Sequence, residues 1–199
     1  MIVVQVGAEE KKYTLHRSLL TYHSGYFRGA LSGNFKETDD GIIPIKDIDL
    51  DAFEIFVEWI YDMKLPAAIS AQSVDATPSV KIRAYVLAER FLAPSLKAAL
   101  MDYYFSMRKI VQLSFFTVAY LFANLPGKDP LLHFSVDAFC TFNGFRWLQD
   151  TDEAVVRQLP KEYMDRVLLK CMKLSTMANE DEEMKREDCI EEVVAVSQG

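Results

Sequence analysis

The first 65 residues constrain the fold most, because short β-type runs and helical patterns follow one another there in close succession. Two β-rich runs, Ile2–Val6 and Lys12–His16, enclose a polar turn and predict a two-stranded hairpin. Two short helices are predicted next, at Arg17–Tyr22 and Ser24–Leu31, with Ser24 as a cap. The hairpin opens a sheet, to which Ile42–Ile45 is predicted to add a third strand.

The most regular helical pattern covers Asp47–Lys64. Asp49 or Asp51 can cap this helix, Asp51 and Glu54 have the spacing of a capping box, and Pro66 is predicted to end it. Four apolar residues recur at helical spacing on one face and are predicted to be buried: Phe53, Phe56, Val57 and Ile60. The other predicted core positions of this half are Leu15, Leu20, Phe27 and Leu31.

Helical patterns dominate the rest of the chain after a small, polar loop at Ala67–Ser79. The predicted helices are Lys81–Leu92, Pro94–Phe105, Lys109–Asn124, Pro130–Phe142 and Lys161–Thr176. In the second of them the predicted apolar stripe is Leu96, Ala99, Leu100 and Tyr103. The uncharged run Ile110–Leu125 is shorter than the roughly 20 apolar residues that a membrane span needs. We therefore expect it to be a buried helix.

The order of residues in this first half resembles the core of a BTB/POZ domain. The matching positions are Tyr13, Leu15, His16, Leu20, Ser24, Tyr26, Phe27, Leu31, Phe35, Glu37, Ile45, Asp47, Phe53 and Tyr61, followed by the run KIRAYVLAERFLAPSLKAALMDYYF. The long loop before that run and the helices after it look most like the fungal branch of the family. The resemblance implies an α/β fold, a small sheet flanked by about five helices, with an all-helical C-terminal extension.

The resemblance and the composition together predict three regions. Residues 1–105 would form the BTB/POZ domain, residues 106–178 a helical extension packed on it, and residues 179–199 an acidic, disordered tail. Residues 179–192 hold eight acidic and two basic side chains, whereas the whole chain has a net charge of −7. Because the remaining chain is nearly neutral, no basic surface for nucleic acid or an anionic membrane is expected.

The three cysteines, Cys140, Cys171 and Cys189, lie far apart in the sequence and form no Cys/His cluster. This spacing predicts neither a zinc site nor a disulfide framework. Reduced thiols and the lack of a signal-peptide pattern at the amino terminus favour a soluble protein of the cytoplasm or nucleus.

No arrangement of residues predicts catalysis. His16, Ser18 and Asp47 are the residue types of a catalytic triad, but the sequence has no GxSxG-like nucleophile elbow. His16 is therefore expected to be structural. Asp39 and Asp40 precede a glycine and fit a turn. No phosphate-binding glycine motif occurs. The chain is therefore not expected to be an enzyme, or to bind a cofactor, a metal or a small-molecule substrate.

Four residues are the candidates for protein interaction. The resemblance places Phe35 and Glu37 at the hydrophobic–x–Glu position with which some BTB proteins contact a cullin. It places Arg17 at the basic position of the family's charged groove and Tyr26 in the first helical layer, Arg17–Leu31, a route to self-association.

The predicted function is a non-enzymatic protein–protein interaction module that associates with itself or with another protein through the BTB domain. One alternative is a substrate adaptor of a cullin-RING ubiquitin ligase. A second alternative is a monomeric, Skp1-like or elongin-C-like scaffold.

Overall fold

A computed structural model of the chain describes residues 1–32, 42–66, 77–107, 113–141 and 153–176. The chain divides into two compact units, Met1–His133 and Phe134–Gly199. In the described parts of both units, every helix is too short or too polar to cross a lipid bilayer.

The described strands of the first unit form a mixed three-stranded sheet in the order β2-β1-β3. Strands β1 (Ile2–Val6) and β2 (Lys11–Leu15) pair antiparallel as the predicted hairpin. The turn between them uses the left-handed backbone region, with φ of 76° at Gly7 and 56° at Glu10. Strand β3 (Ile42–Ile45) has the predicted bounds and lies parallel to β1. Alternate β1 residues are buried, so one sheet face supports the helices.

Two short helices follow the hairpin, α1 (Arg17–His23) and α2 (Gly25–Ala30). Ser24 separates them and caps α2, because its hydroxyl oxygen accepts a hydrogen bond from the Phe27 amide at 3.2 Å. The predicted cap is therefore confirmed. An extended residue between two helices turns the chain sharply, which gives α1 and α2 a common corner.

Helix α3 (Leu50–Asp62) is shorter than the predicted Asp47–Lys64. Asp49 is its cap and accepts a hydrogen bond from the Ala52 amide at 2.9 Å. The helix ends before Pro66, because Met63 adopts the left-handed conformation and its amide bonds to the Trp59 carbonyl.

The predicted core of α3 is confirmed at three of its four positions. Phe53, Phe56 and Ile60 are buried, but Val57 is partly exposed. The buried residues of this helix are Ala52, Phe53, Ile55, Phe56, Trp59 and Ile60. The apolar stripe is wider than predicted and is displaced away from Val57. It includes Ala52, Ile55 and Trp59, which lie on the side of the helix away from Val57. The predicted burial of Leu15, Leu20, Phe27 and Leu31 is confirmed.

Helices α4 (Val80–Arg90) and α5 (Pro94–Ser106) pack on each other and on α3. In α5 the buried residues are Leu96, Leu100 and Tyr104, whereas Ala99 and Tyr103 are partly exposed. The predicted stripe is thus wrong at two positions. Leu96, Leu100 and Tyr104 are four residues apart and lie along one line of the helix, and this line is the one that packing buries.

Four phenylalanines form the centre of the first unit. Phe27, Phe53, Phe56 and Phe91 have neighbouring ring centroids 5.1–6.1 Å apart, and all four are buried. Most of the pairs are edge-on or tilted, the arrangement that aromatic quadrupoles favour. This cluster joins α2, α3 and the end of α4.

Helix α6 (Phe115–Asn124) lies in the same unit and packs against α4. Ser114 caps it by accepting a hydrogen bond from the Thr117 amide at 3.2 Å. Phe115, Val118 and Leu121 are buried, as expected for a helix from the uncharged run.

Helix α7 (Pro130–Thr141) contributes residues to both units. The second unit also contains α8 (Glu153–Val156), a short helix that the sequence patterns missed, and α9, a helix at residues 161–176. Phe139 of α7 meets Tyr163 of α9 edge-on, with ring centroids 6.0 Å apart. Both rings are buried and form the apolar contact between these helices.

Candidate protein-interaction surface

Two of the four predicted interaction residues, Phe35 and Glu37, lie outside the described residues, as does most of the Ala67–Ser79 loop. Their roles stay predictions. Arg17 and Tyr26 are both described, at the α1–α2 corner.

Arg17 fastens the two helices of this corner to each other. Its guanidinium donates a hydrogen bond of 2.6 Å to the carbonyl of Leu31, the residue that ends α2. A cation at the carboxyl end of a helix also interacts favourably with the helix dipole. Arg17 is therefore hydrogen-bonded to the end of α2 although the residue as a whole is exposed to solvent.

Tyr26 covers the aromatic core from outside. Its ring stacks on Phe91 with centroids 5.4 Å apart and an interplanar angle of 19°. It keeps 36% of its surface exposed, so one face packs inward and the other meets solvent. Such a ring can serve both stability and recognition, because it is already held in place before a partner arrives.

The α1–α2 corner is bonded to the turn between α4 and α5. The Ser24 hydroxyl donates to the Phe91 carbonyl at 2.6 Å, and the Tyr26 amide donates to the same oxygen at 3.1 Å. The Gly25 amide donates to the Leu92 carbonyl at 3.0 Å. The first amides of α2, which have no partner within their own helix, are satisfied by the end of α4.

Leu92 has an unusual conformation in this turn. Its φ of 49° lies in the left-handed region, which costs about 1–2 kcal/mol for a residue with a Cβ. The close approach of the two backbones also requires Gly25, because a Cβ there would lie 2.9 Å from the Leu92 Cβ. The Leu92 side chain is nevertheless 62% exposed. Strain of this kind is retained where neighbouring structure imposes it, often at binding surfaces.

An open groove of about 690 Å³ lies between the corner and the turn. Tyr22, which is 77% exposed, and Leu92 are apolar walls, and the Arg28 guanidinium is anchored to the carbonyls of Thr21 and Tyr22. His23 is buried at the groove, and burial lowers the pKa of its imidazole. We call this feature the corner groove; its lining includes Tyr22, His23, Gly25, Arg28, Leu92 and Pro94.

Sequence patterns did not single out Tyr22 or Leu92. Both lie at the end of a helical pattern. The one signal that could have identified them is a large apolar side chain outside the predicted buried stripe. Exposure of such a residue depends on which element packs beside it, and this information is absent from a local pattern.

His16, which the sequence predicted to be structural, is held by Tyr61. The Nδ1 atom of His16 lies 2.9 Å from the Tyr61 hydroxyl, and the His16 amide donates to that same oxygen at 3.2 Å. His16 therefore ties the end of β2 to α3. Among the residues that the structure describes, no three His, Cys, Asp or Glu side chains are grouped to hold a metal ion.

Comparison with known proteins identifies the family. The family model of the BTB/POZ domain matches residues 2–104. Kelch repeat and BTB domain-containing protein 4 of Homo sapiens and that of Mus musculus are each 31% identical to this chain over 58 residues, which are 29% of this chain. The match spans 11% of the length of these curated relatives.

A solved structure, that of the BTB (Tramtrack and Bric a brac) domain of human gigaxonin, is 14% identical to the chain with a TM-score of 0.38. It covers 51% of this chain and 75% of its own chain. These relatives leave the fungal affiliation a prediction. The family match extends over more than half of the sequence and coincides with the sheet and helices α1 to α5. The chain belongs to the BTB/POZ family, whose members are generally protein–protein interaction modules and typically non-catalytic.

Proposed function

We propose that this chain is a non-enzymatic interaction module that binds a protein, either a second copy or a different partner, through the corner groove. The observation that supports it is the pair of exposed apolar side chains, Tyr22 and Leu92, that line an open groove. A few apolar or aromatic anchors provide most of the affinity of a typical protein interface.

The walls of the corner groove are preorganised. Arg28 donates to two carbonyls of α1, and the amides of Gly25 and Tyr26 donate to the carbonyls of Leu92 and Phe91, respectively. A rigid surface loses little conformational entropy when it binds, which favours affinity. Tyr26 and Arg17 lie on the same pair of helices and would extend the contact.

The test compares two groove variants with a matched control. Leu92→Gly removes the apolar wall and suits the left-handed backbone, and the added flexibility of the unfolded chain, about 0.4–1 kcal/mol, offsets the relief of strain. Tyr22→Ser removes the other exposed apolar side chain of the groove. Phe116→Ser, at a residue of α6 that is 42% exposed, is the control for loss of a surface aromatic.

Partners are recovered with the tagged full chain by affinity capture and mass spectrometry, and self-association is measured by light scattering over a concentration series. We expect both groove variants to weaken the association by about 2 kcal/mol and the control to keep it. Full binding by both groove variants would contradict the proposal.

A second candidate function is that of a cullin-RING ligase adaptor. Its support is the hydrophobic–x–Glu pattern of Phe35 and Glu37, a few residues after α2 in the sequence, together with the family membership. We expect Phe35→Ala with Glu37→Ala to abolish co-purification of a cullin with the chain, while Phe116→Ser preserves it. The absence of a cullin from the wild-type capture would instead favour the plain interaction module or a monomeric, Skp1-like or elongin-C-like scaffold.

A further inference from the structure

Two cysteines that are far apart in the sequence meet in the second unit. The sulfur of Cys140 on α7 lies 3.4 Å from the sulfur of Cys171 on α9, although the two residues are 31 positions apart in the sequence. Both side chains are partly buried. A pair in van der Waals contact can be joined by a small rotation of the side chains.

Neighbouring contacts hold the two helices in the register that places the sulfurs together. One turn from Cys140, Asp137 forms an ion pair with Lys170, the residue before Cys171. The Cys140 thiol also lies 3.9 Å from the carbonyl of Val167, which is one turn before Cys171. Together with the Phe139–Tyr163 contact, these interactions fix the positions of the two helices and so bring the two sulfurs into contact.

We propose that Cys140 and Cys171 are a modification site, at which a disulfide oxidant such as oxidised glutathione forms a reversible bond that fastens α7 to α9. The bond would enclose residues 140–171 in a covalent loop and would keep the two helices from separating. The reduced thiols that the sequence predicts would be the form of the pair before oxidation.

The exchange proceeds in two steps. The Cys171 thiolate attacks one sulfur of the glutathione disulfide and releases one glutathione, which takes up the proton. Cys140 then loses its proton, attacks the Cys171 sulfur and displaces the second glutathione as a thiol. The protein gives up two electrons and two protons, and the oxidant is reduced to two thiols.

Cys140 suits the second step. Burial, followed by the contact with Cys171, raises the pKa of its thiol to about 12, so it stays protonated and unreactive toward external oxidants. Its position against the Cys171 sulfur makes the closing step intramolecular. An intramolecular thiol has an effective concentration above the millimolar level of a flexible tether, and it outcompetes other thiols.

The experiment treats the native full chain with oxidised glutathione, alkylates the remaining thiols and maps the peptides by mass spectrometry. We expect a linked Cys140–Cys171 peptide, with Cys189 alkylated and the link reversed by dithiothreitol. The link should form at least about tenfold faster than any disulfide of Cys189, and the same treatment in urea should abolish this preference. The oxidised chain should also melt about 5–10 °C higher than the reduced chain.

Three variants complete the test. Cys189→Ser should form the link at the wild-type rate, whereas Cys140→Ser should retain glutathione on Cys171 without a link. Cys171→Ser should leave Cys140 largely unmodified. The proposal is overturned if the native wild-type chain keeps glutathione as a stable mixed disulfide on either residue, or if Cys189 is linked as often as Cys140 and Cys171.

Discussion

Lys97 of α5 and Asp129, the residue before α7, form an ion pair in which the Nζ and Oδ2 atoms lie 2.5 Å apart. The Asp129 side chain is fully buried and also accepts hydrogen bonds from the Tyr85 hydroxyl at 3.0 Å and the Leu131 amide at 2.9 Å. Lys97 bonds to Glu89 as well. Burial lowers the pKa of Lys97, but the bonds to Asp129 and Glu89 raise it more, so the ammonium form is favoured. This network joins the start of α7 to α4 and α5.

Loss of Asp129 should therefore be costly. Asp129→Ala leaves the Tyr85 hydroxyl and the Leu131 amide without their acceptor and Lys97 without its buried partner. We expect the free energy of unfolding to fall by about 3–5 kcal/mol in urea denaturation. The control is Asp47→Ala, which breaks the exposed pair with Arg90 and should cost no more than about 1 kcal/mol. Equal effects of the two substitutions would contradict this assignment.

Gly25 should be intolerant of a side chain. The Cβ of Gly25→Ala would lie 2.9 Å from the Leu92 Cβ and 3.2 Å from its Cδ1, so the bonded corner must shift. We expect a loss of about 1–3 kcal/mol in unfolding free energy. Leu92→Gly in the same chain should restore most of it, because the atoms that clash are removed.

The matched control for that cycle is Gly29→Ala, also in α2. Apart from its chain neighbours and the backbone of its own helix, no atom of the described residues lies within 4 Å of the added Cβ. This change should be neutral or stabilise the helix by about 0.5–1 kcal/mol. If the two alanine variants unfold alike, close packing at Gly25 is not the reason for its glycine.

Phe53 should contribute a large part of the aromatic core. Its ring lies 5.0 Å from Tyr13 and 6.1 Å from Phe91, measured between centroids, and it is completely buried. We expect Phe53→Ala to cost about 3–5 kcal/mol through lost burial and the cavity it leaves. Val57→Ala on the same helix should cost about 1 kcal/mol or less, since Val57 is partly exposed. Thermal and urea unfolding of both variants would measure the difference.

His23 should make the stability of the first unit depend on pH. Burial lowers the pKa of its imidazole from the usual 6.5, so the folded protein favours the neutral ring. Above about pH 6.5 the ring is neutral in both states and its contribution is fully present; as the pH falls below that value, the unfolded chain binds the proton first and stability declines.

Urea unfolding from about pH 8 to about pH 5 measures this dependence, which for one proton cannot exceed about 1.4 kcal/mol per pH unit. His23→Gln should unfold with a shallower pH profile than the wild type. Parallel profiles of the two proteins would show that His23 is not the titrating group.

Local sequence determined most secondary structure, because its signals act over a few residues. The caps at Ser24 and Asp49 follow from side chains that bond to amides three residues later. The bounds of β3 follow from a short apolar run, and the burial of Phe53 follows from its place in a helical apolar pattern. The family was recognisable for a related reason. The order of apolar and turn residues in the first half specifies the sheet and its helices, and the family model matches the same residues.

Tertiary structure decided the features that depend on residues distant in sequence. It shifted the buried stripe of α3 away from Val57, selected Tyr104 over Tyr103, and gave Leu92 a left-handed backbone against Gly25. No local period encodes these choices, because each depends on the element packed opposite.

The same reason applies to the two pairs on which the sharpest tests rest. Lys97 meets Asp129 across 32 residues, and Cys140 meets Cys171 across 31. In the sequence these are isolated charges and unpaired thiols. Packing places them in contact, and contact in a partly dry interior gives a charge pair or a thiol pair properties that neither residue has alone.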